Sequence, residues 1–256
     1  SLGLVGSEMC IRDSSRVDAF DQWCATQPWL EDHVRFVVLH QQHGDAWWTW
    51  PTSLAQHHSG ALQQWAAEHA EQLLEERLLQ WHLDRQWQAI HALAKDLGIQ
   101  LFGDVPFYVS SDSADVWSHR HLFTVEADGR LTTQSGVPPD YFSETGQLWG
   151  SPVYRWGRHR LSRFRWWRQR IGRQLQLVDL LRLDHFRALA GYWAVPGGDS
   201  TAQNGSWEPS PGRSLLTKLR QDCGGNLPLI AEDLGVITPD VEAVSYTHLT
   251  LPTIVS

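Results

Sequence analysis

Leu177-Val-Asp-Leu-Leu-Arg-Leu-Asp-His-Phe-Arg187 is the stretch that decides the fold. Its apolar run has the length of a buried strand, and it ends in a cluster of ionisable groups, Arg182, Asp184, His185 and Arg187. Side chains two apart on a strand share a face, so Arg182 and Asp184 are expected to point the same way, with the arginine holding the aspartate ionised as a nucleophile. From this stretch alone, a structural ion pair closing a strand explains the residues as well as catalysis does.

Two further stretches share the pattern. Leu227 to Gly235 is a short apolar run ending in Glu232 and Asp233, and Ile99 to Phe107 carries Asp104 in the corresponding place. Each follows a helical segment and each ends in an acid. That suits parallel strands of a β/α barrel, where functional groups gather at the C-terminal strand ends and Asp104, Asp184 and Glu232 face one cleft.

The rest of the chain fits around these strands. Ser15 to Trp50 reads as short helices and loops in which Trp29, Trp47, Trp48 and Trp50 pack rather than bind. From Gly60 to Leu97 apolar residues recur at three- and four-residue spacing, and Gly98 is a natural stop. Val109 to Trp156 is expected to be a long aromatic loop region, because the Gly and Pro density of Gly136 to Tyr154 argues against a regular helix or central strand. His159 to Gln176 reads as a basic helix, Gly191 to Gly212 as a loop, and Ser214 to Gln221 as a short helix.

Composition narrows the function classes. The net charge of -8 argues against nucleic acid and anionic membrane surfaces as partners. No apolar run approaches the ~18 residues of a bilayer span. The three cysteines, Cys10, Cys24 and Cys223, lack C-x-x-C spacing, which points to a reduced, cytoplasmic setting without a zinc site. The thirteen histidines form no H-x-x-x-H pair flanking an acid, so neither a metal nor another cofactor is expected, and most of them read as surface residues. Fifteen tryptophans are an unusual share, but most are expected in the core, so the count alone does not indicate sugar binding.

Gly103 to Val109 (GDVPFYV), Asp112 to Trp117 (DSADVW), Gly136 to Gly150, Arg182 to Arg187 (RLDHFR) and Ala231 to Pro239 (AEDLGVITP) resemble, in order, the signature blocks of the amylomaltases, or 4-α-glucanotransferases, relatives of the α-amylases with a β/α-barrel catalytic domain. The resemblance implies that Asp184 is the nucleophile and Glu232 the general acid/base. Arg182 and His185 would lie at the same subsite, and Asp104 would contact sugar. Tyr141, Phe142, Glu144, Gln147 and Trp149 would belong to a loop over the glucan groove. Partners would be α-1,4-glucans and maltooligosaccharides. The chain departs from the family at Ala188, usually glycine, and at Ser151, often asparagine.

The family's third catalytic aspartate sits in a Thr-His-Asp-Asn segment that this chain does not carry, and strands expected before the Asp104 strand are missing. Residues 15–244 are therefore expected to be a fragment of the catalytic domain, a partial (β/α)8 barrel, inactive by itself. Ser1 to Ser14 and Ser245 to Ser256 resemble adapter-derived read-through and are expected to be non-native tails. A retaining pair predicts the Asp184 and Glu232 carboxyls about 5 to 5.5 Å apart. The competing readings are an α-amylase-type hydrolase on the same residues and a non-catalytic glucan-binding fragment.

Overall fold

The computed structural model describes residues 16–232. The expected tails and the part of the last signature block beyond Glu232 lie outside the described residues. The chain divides into two compact units, the first ending at Ala89 and the second starting at Ile90.

The first unit is helical. After a helix over 16–26 come α1 (Leu30–His43), a turn of helix α2 (Thr52–Ala55), α3 (Ser59–Glu68) and α4 (Ala70–Asp96), which runs on into the second unit. The four-residue spacing of Leu30, Val34 and Val38 puts all three on one face of α1, where they are buried together with Leu39. Trp47, Trp50, Leu62, Trp65, Leu73 and Trp81 are buried as well, so Trp47 and Trp50 are packing residues as expected. Arg77 grips Glu31 with two hydrogen bonds of 2.7 Å, and the Trp23 indole donates to Asp84 at 3.0 Å. The apolar periodicity read from Gly60 to Leu97 is carried by two helices, α3 and α4, which part at His69, whose ring stacks on Trp65 at 4.6 Å.

In the second unit, α4 is closed by a turn at Gly98, which takes a left-handed φ of 71°. The Gly98 N–H donates to Lys95 O and the Ile99 N–H to Ala94 O, satisfying the last carbonyls of the helix. β1 (Phe102–Val105) follows at once. After it come α5 (Ala114–Ser118), β2 (Thr133–Val137), β3 (Gln147–Pro152), α6 (Trp156–Leu161), α7 (Arg165–Leu177) and β4 (Leu180–Leu183). The described chain closes with β5 (Gly191–Pro196), β6 (Ser206–Pro209), α8 (Gly212–Asp222) and β7 (Leu229–Ala231).

Two sheets result. β1, β4 and β7 form a parallel sheet with β4 in the middle, and each of its strands is preceded by a helix. Leu181 and Leu183 of β4 are buried, and Trp166, Trp167 and Ile171 are the buried face of α7. Asp179 pins the strand entrances by accepting from the Leu101 N–H at 2.8 Å and from His91 at 3.0 Å.

The second sheet is antiparallel, in the order β3-β2-β5-β6, and it corrects two expectations. Gly136 to Tyr154 is not irregular throughout: β2 and β3 pair as a hairpin, and β2 is an inner strand. Pro138 and Pro139 lie in the hairpin loop, Pro152 ends an edge strand, and pairing is irregular between Gln134 and Gly136, so the breakers fall where a ladder tolerates them. Gly191 to Gly212 holds β5 and β6, whose Tyr192, Ala194 and Val195 are buried; its breakers cluster in the turn between the strands. The expected basic helix from His159 to Gln176 is likewise two helices, α6 and α7, separated where Arg163 and Phe164 adopt φ of 52° and 58°.

Candidate active site

The parallel register puts the acids in place. Asp104 lies opposite Arg182, and Val105, Leu183 and Ala231 align as the last paired residues of their strands. The Asp184 N–H donates to Val105 O at 3.0 Å and the Glu232 N–H to Leu183 O at 3.3 Å, which carries the alignment one residue past the ladder. Asp104, Asp184 and Glu232 therefore emerge together at the C-terminal ends of three parallel strands.

Arg182 is the hub. Its Nε and Nη2 donate to the two oxygens of Asp104 at 3.1 and 2.6 Å, Nη1 donates to Glu232 Oε1 at 3.3 Å, and Nη2 also reaches Asp184 Oδ1 at 3.4 Å. The strong, two-pronged contact goes to Asp104 and the weakest to Asp184. Arg182 does favour the ionised Asp184, as expected of a neighbouring cation, but other groups oppose it. Burial, and then the neighbouring Glu232 carboxylate, push the Asp184 pKa up against the pull of Arg182. The Asp184 and Glu232 carboxyls meet on the same guanidinium, at 3.4 and 3.3 Å from its nitrogens.

His185 joins the cluster through backbone and ring. Its φ of 51° is left-handed, rare for a non-glycine residue, and turns its N–H onto Glu232 Oε2 at 2.6 Å. Its imidazole lies edge-on to the Trp149 ring at 4.8 Å, and burial lowers its pKa to about 4. Trp149 comes from β3, so the antiparallel sheet meets the acid-tipped sheet at this ring pair. Gln147 accepts from the Trp149 indole at 3.3 Å.

Asp104, Arg182, Asp184, His185 and Glu232 are thus one cluster, with Trp149 and Gln147 attached through His185. Tyr141 and Phe142 stand elsewhere, at the hairpin tip, with 98% and 94% of their surface exposed and their rings 5.8 Å apart. Asp140 shapes that tip by accepting from the N–H groups of Phe142 and Ser143, and the Glu144 carbonyl accepts from Gln203 at 3.2 Å. Two residues were missed. Tyr108, 6.0 Å from both the His185 and the Trp149 ring, reads in sequence as one more apolar residue after a strand. His159, fully buried among Phe123, Tyr154, Trp156 and Trp166, reads as one more surface histidine.

Parallel strands preceded by helices, with their acids gathered at one end, define an enzyme of the β/α-barrel class. A family model described as 4-alpha-glucanotransferase matches residues 6–254. The 4-alpha-glucanotransferase of Synechocystis is 43% identical over 228 residues, covering 88% of this chain and 45% of that protein. That of Thermus thermophilus is 44% identical over 217 residues, covering 84% and 43%. Among solved structures, amylomaltase from Streptococcus agalactiae in complex with acarbose superposes with a TM-score of 0.85 at 33% identity, over 91% of this chain and 48% of that one. The chain belongs to the 4-alpha-glucanotransferase family, and its fold is part of a β/α barrel. It spans somewhat under half the length of these relatives.

Proposed function

We propose that this chain supplies the bond-breaking centre of a 4-α-glucanotransferase that moves α-1,4-glucan segments between maltooligosaccharides with retention of configuration. The observation that carries the reading is the convergence of Asp184 and Glu232, from adjacent parallel strands, on Arg182. In the proposed reaction Asp184 Oδ attacks the anomeric carbon while Glu232 gives its proton to the departing oxygen. The first glucan leaves, and the second stays as an ester on Asp184. An incoming sugar 4-hydroxyl then loses its proton to Glu232 and displaces Asp184.

The side chains support these roles. Asp184 and Glu232 reach one guanidinium from adjacent parallel strands, which presents two carboxyls to the same bond, as a retaining pair requires. Asp104 keeps Arg182 anchored, and the Arg182 contact to Asp184 steadies the charge that returns when the ester opens. His185 holds Glu232 through its backbone N–H. Tyr141, Phe142, Glu144, Gln147 and Trp149 are proposed to line the acceptor side, where holding a sugar and excluding water favour transfer over hydrolysis. The complex of the Streptococcus agalactiae relative with acarbose supports an oligosaccharide of this class as ligand. Among the described residues no helix is long and apolar enough to cross a membrane, and we place the reaction in the cytoplasm on the cysteine pattern.

Maltotriose offered to a full-length polypeptide carrying these residues tests the reading. Transfer gives glucose together with maltooligosaccharides longer than the substrate. Glucose and maltose without longer chains would mean a hydrolase, and affinity for maltotriose without turnover would mean a binding protein.

A further inference from the structure

Arg187 is the last ionisable group of the stretch that decides the fold, and its side chain is held by the antiparallel sheet. Its guanidinium carbon lies 3.8 Å from the centroid of the Trp207 ring, a cation over an aromatic face. Trp207 stands on the outer strand β6, 44% exposed and directly opposite Trp193 of β5. The Trp193 ring meets it edge-on at 5.4 Å, and the Trp193 indole donates to Ala202 O at 2.8 Å. The platform under Arg187 is therefore fixed by its own sheet.

What the stack holds lies two residues back. His185 has a φ of 51°, and a non-glycine residue stays in that region only where its surroundings over-determine it. On its N-terminal side the ladder does so, since the Asp184 N–H donates to Val105 O at 3.0 Å. On its C-terminal side the chain makes one turn over Phe186–Leu189, with the Ala188 N–H on His185 O and the Ala190 N–H on Arg187 O, both at 2.9 Å. Phe186, Ala188 and Leu189 are buried in that turn, and Arg187 is the member whose side chain lies on β6. We propose that Arg187 is a positioning residue: its stack on Trp207 anchors the turn after β4 and so holds His185 in the left-handed backbone that carries its N–H to Glu232 Oε2. A planar guanidinium suits the task, because it lies flat on a ring face. The inference rests on the transferase reading only for its consequence, an acid/base carboxyl whose direction is set from the antiparallel sheet.

Nuclear magnetic resonance of the 256-residue chain tests this, because a short hydrogen bond to a carboxylate moves an amide proton downfield and slows its exchange. The expected result is a downfield His185 amide that moves upfield and exchanges at least about tenfold faster in Arg187→Met and in Trp207→Leu, while the Leu181 and Leu183 amides of β4 keep their protection. Trp207→Phe, which retains an aromatic face, should leave the His185 amide in place. The double variant Arg187→Met, Trp207→Leu should go no further than either single change, since the two side chains act as one unit. An unmoved His185 amide in either folded single variant, effects that add in the double variant, or equal loss of protection across β4 overturns the proposal. In a full-length polypeptide the same changes should lower kcat on maltotriose and leave KM; a raised KM at unchanged kcat would make Trp207 a sugar contact and overturn the positioning role. The amide signal needs no turnover, so failure of the transferase reading would show in maltotriose products and leave that signal untouched.

Discussion

Asp184 carries opposing demands. Its neighbours make ionisation costly, yet the proposed chemistry needs it as a carboxylate. An acid whose pKa is raised by folding contributes stability at low pH, and that contribution is lost as pH rises through the folded value. At neutral pH the carboxylate is therefore a burden on the fold, and Asp184→Asn should raise the melting temperature of the chain. In a full-length polypeptide the same change should cut transfer by at least about four orders of magnitude, since the covalent step has no other nucleophile. A lower melting temperature would show that the Arg182 contact outweighs the crowding of carboxyls. His159 has the opposite sign. Burial lowers its pKa to about 4; the Leu122 backbone, too poorly placed for a hydrogen bond to either ring nitrogen, opposes this only in part. The unfolded chain takes up a proton near pH 6.5 that the folded chain refuses, so stability falls from about pH 6.5 towards 4, by roughly 3 kcal/mol for this group. Replacing it by Phe removes that term. Urea unfolding at pH 7 and pH 4.5 should show the His159→Phe variant gaining about 2 to 3 kcal/mol on the parent chain between the two. Equal acid losses in both would remove His159 from the account.

At the scale of elements, the β2–β3 hairpin is the piece that brings Trp149 to His185 and holds up the Tyr141 and Phe142 tip. Its return depends on Gly146, where φ is 67° and an added Cβ would stand 2.4 Å from the Val137 carbonyl oxygen. Gly146→Ala meets both backbone strain and a collision with backbone that cannot swing aside, a cost of about 2 kcal/mol or more. The damage should be local. Hydrogen exchange of the amides in β2 and β3 should speed up at least tenfold, while those of β1 and β4 keep their protection. Exchange rising equally in both sheets would show that the hairpin is part of the barrel's cooperative core. Trp149→Ala tests the same element through function: in a full-length polypeptide it should shift maltotriose products from longer chains towards glucose and maltose, because the acceptor side is loosened while the carboxyl cluster stays.

For the whole molecule, the parallel sheet and the antiparallel sheet answer different needs. The three parallel strands carry Asp104, Arg182 and Asp184 on or just past paired positions and bring Glu232 to the same end, so the groups proposed to break the bond sit on paired strand backbone. The antiparallel sheet carries Trp149 and the exposed tip, so the groups proposed to discriminate sugar from water sit on an added layer. This division predicts separable phenotypes. Substitutions at the strand tips should lower cleavage of every donor alike, whereas substitutions on the hairpin should alter the ratio of transfer to hydrolysis. Product ratios measured across both sets would test it, and tip substitutions that changed the ratio alone would refute it.

The acid-tipped strands were legible in the chain because the signal is local. A short apolar run that ends in a charge says where a strand stops, and Leu180 to Asp184, Phe102 to Asp104 and Leu229 to Glu232 each say so; burial follows for Leu181, Leu183, Leu229 and Ile230 but not for Phe102, which is half exposed. Family membership was legible for a similar reason, since RLDHFR and AEDLG are contiguous. What the sequence could not determine depends on groups distant along the chain. Gly136 to Tyr154 and Gly191 to Gly212 look like loops because their strands are short and their breakers numerous; the pairing of β2 with β5, across some sixty residues, makes them a sheet. Arg182 lies two residues from Asp184, and sequence alone assigned its charge there. Tertiary structure gave the arginine's two-pronged contact to Asp104, because only the parallel register sets them side by side, while burial and the neighbouring Glu232 raise the proton affinity of Asp184 against the arginine's pull.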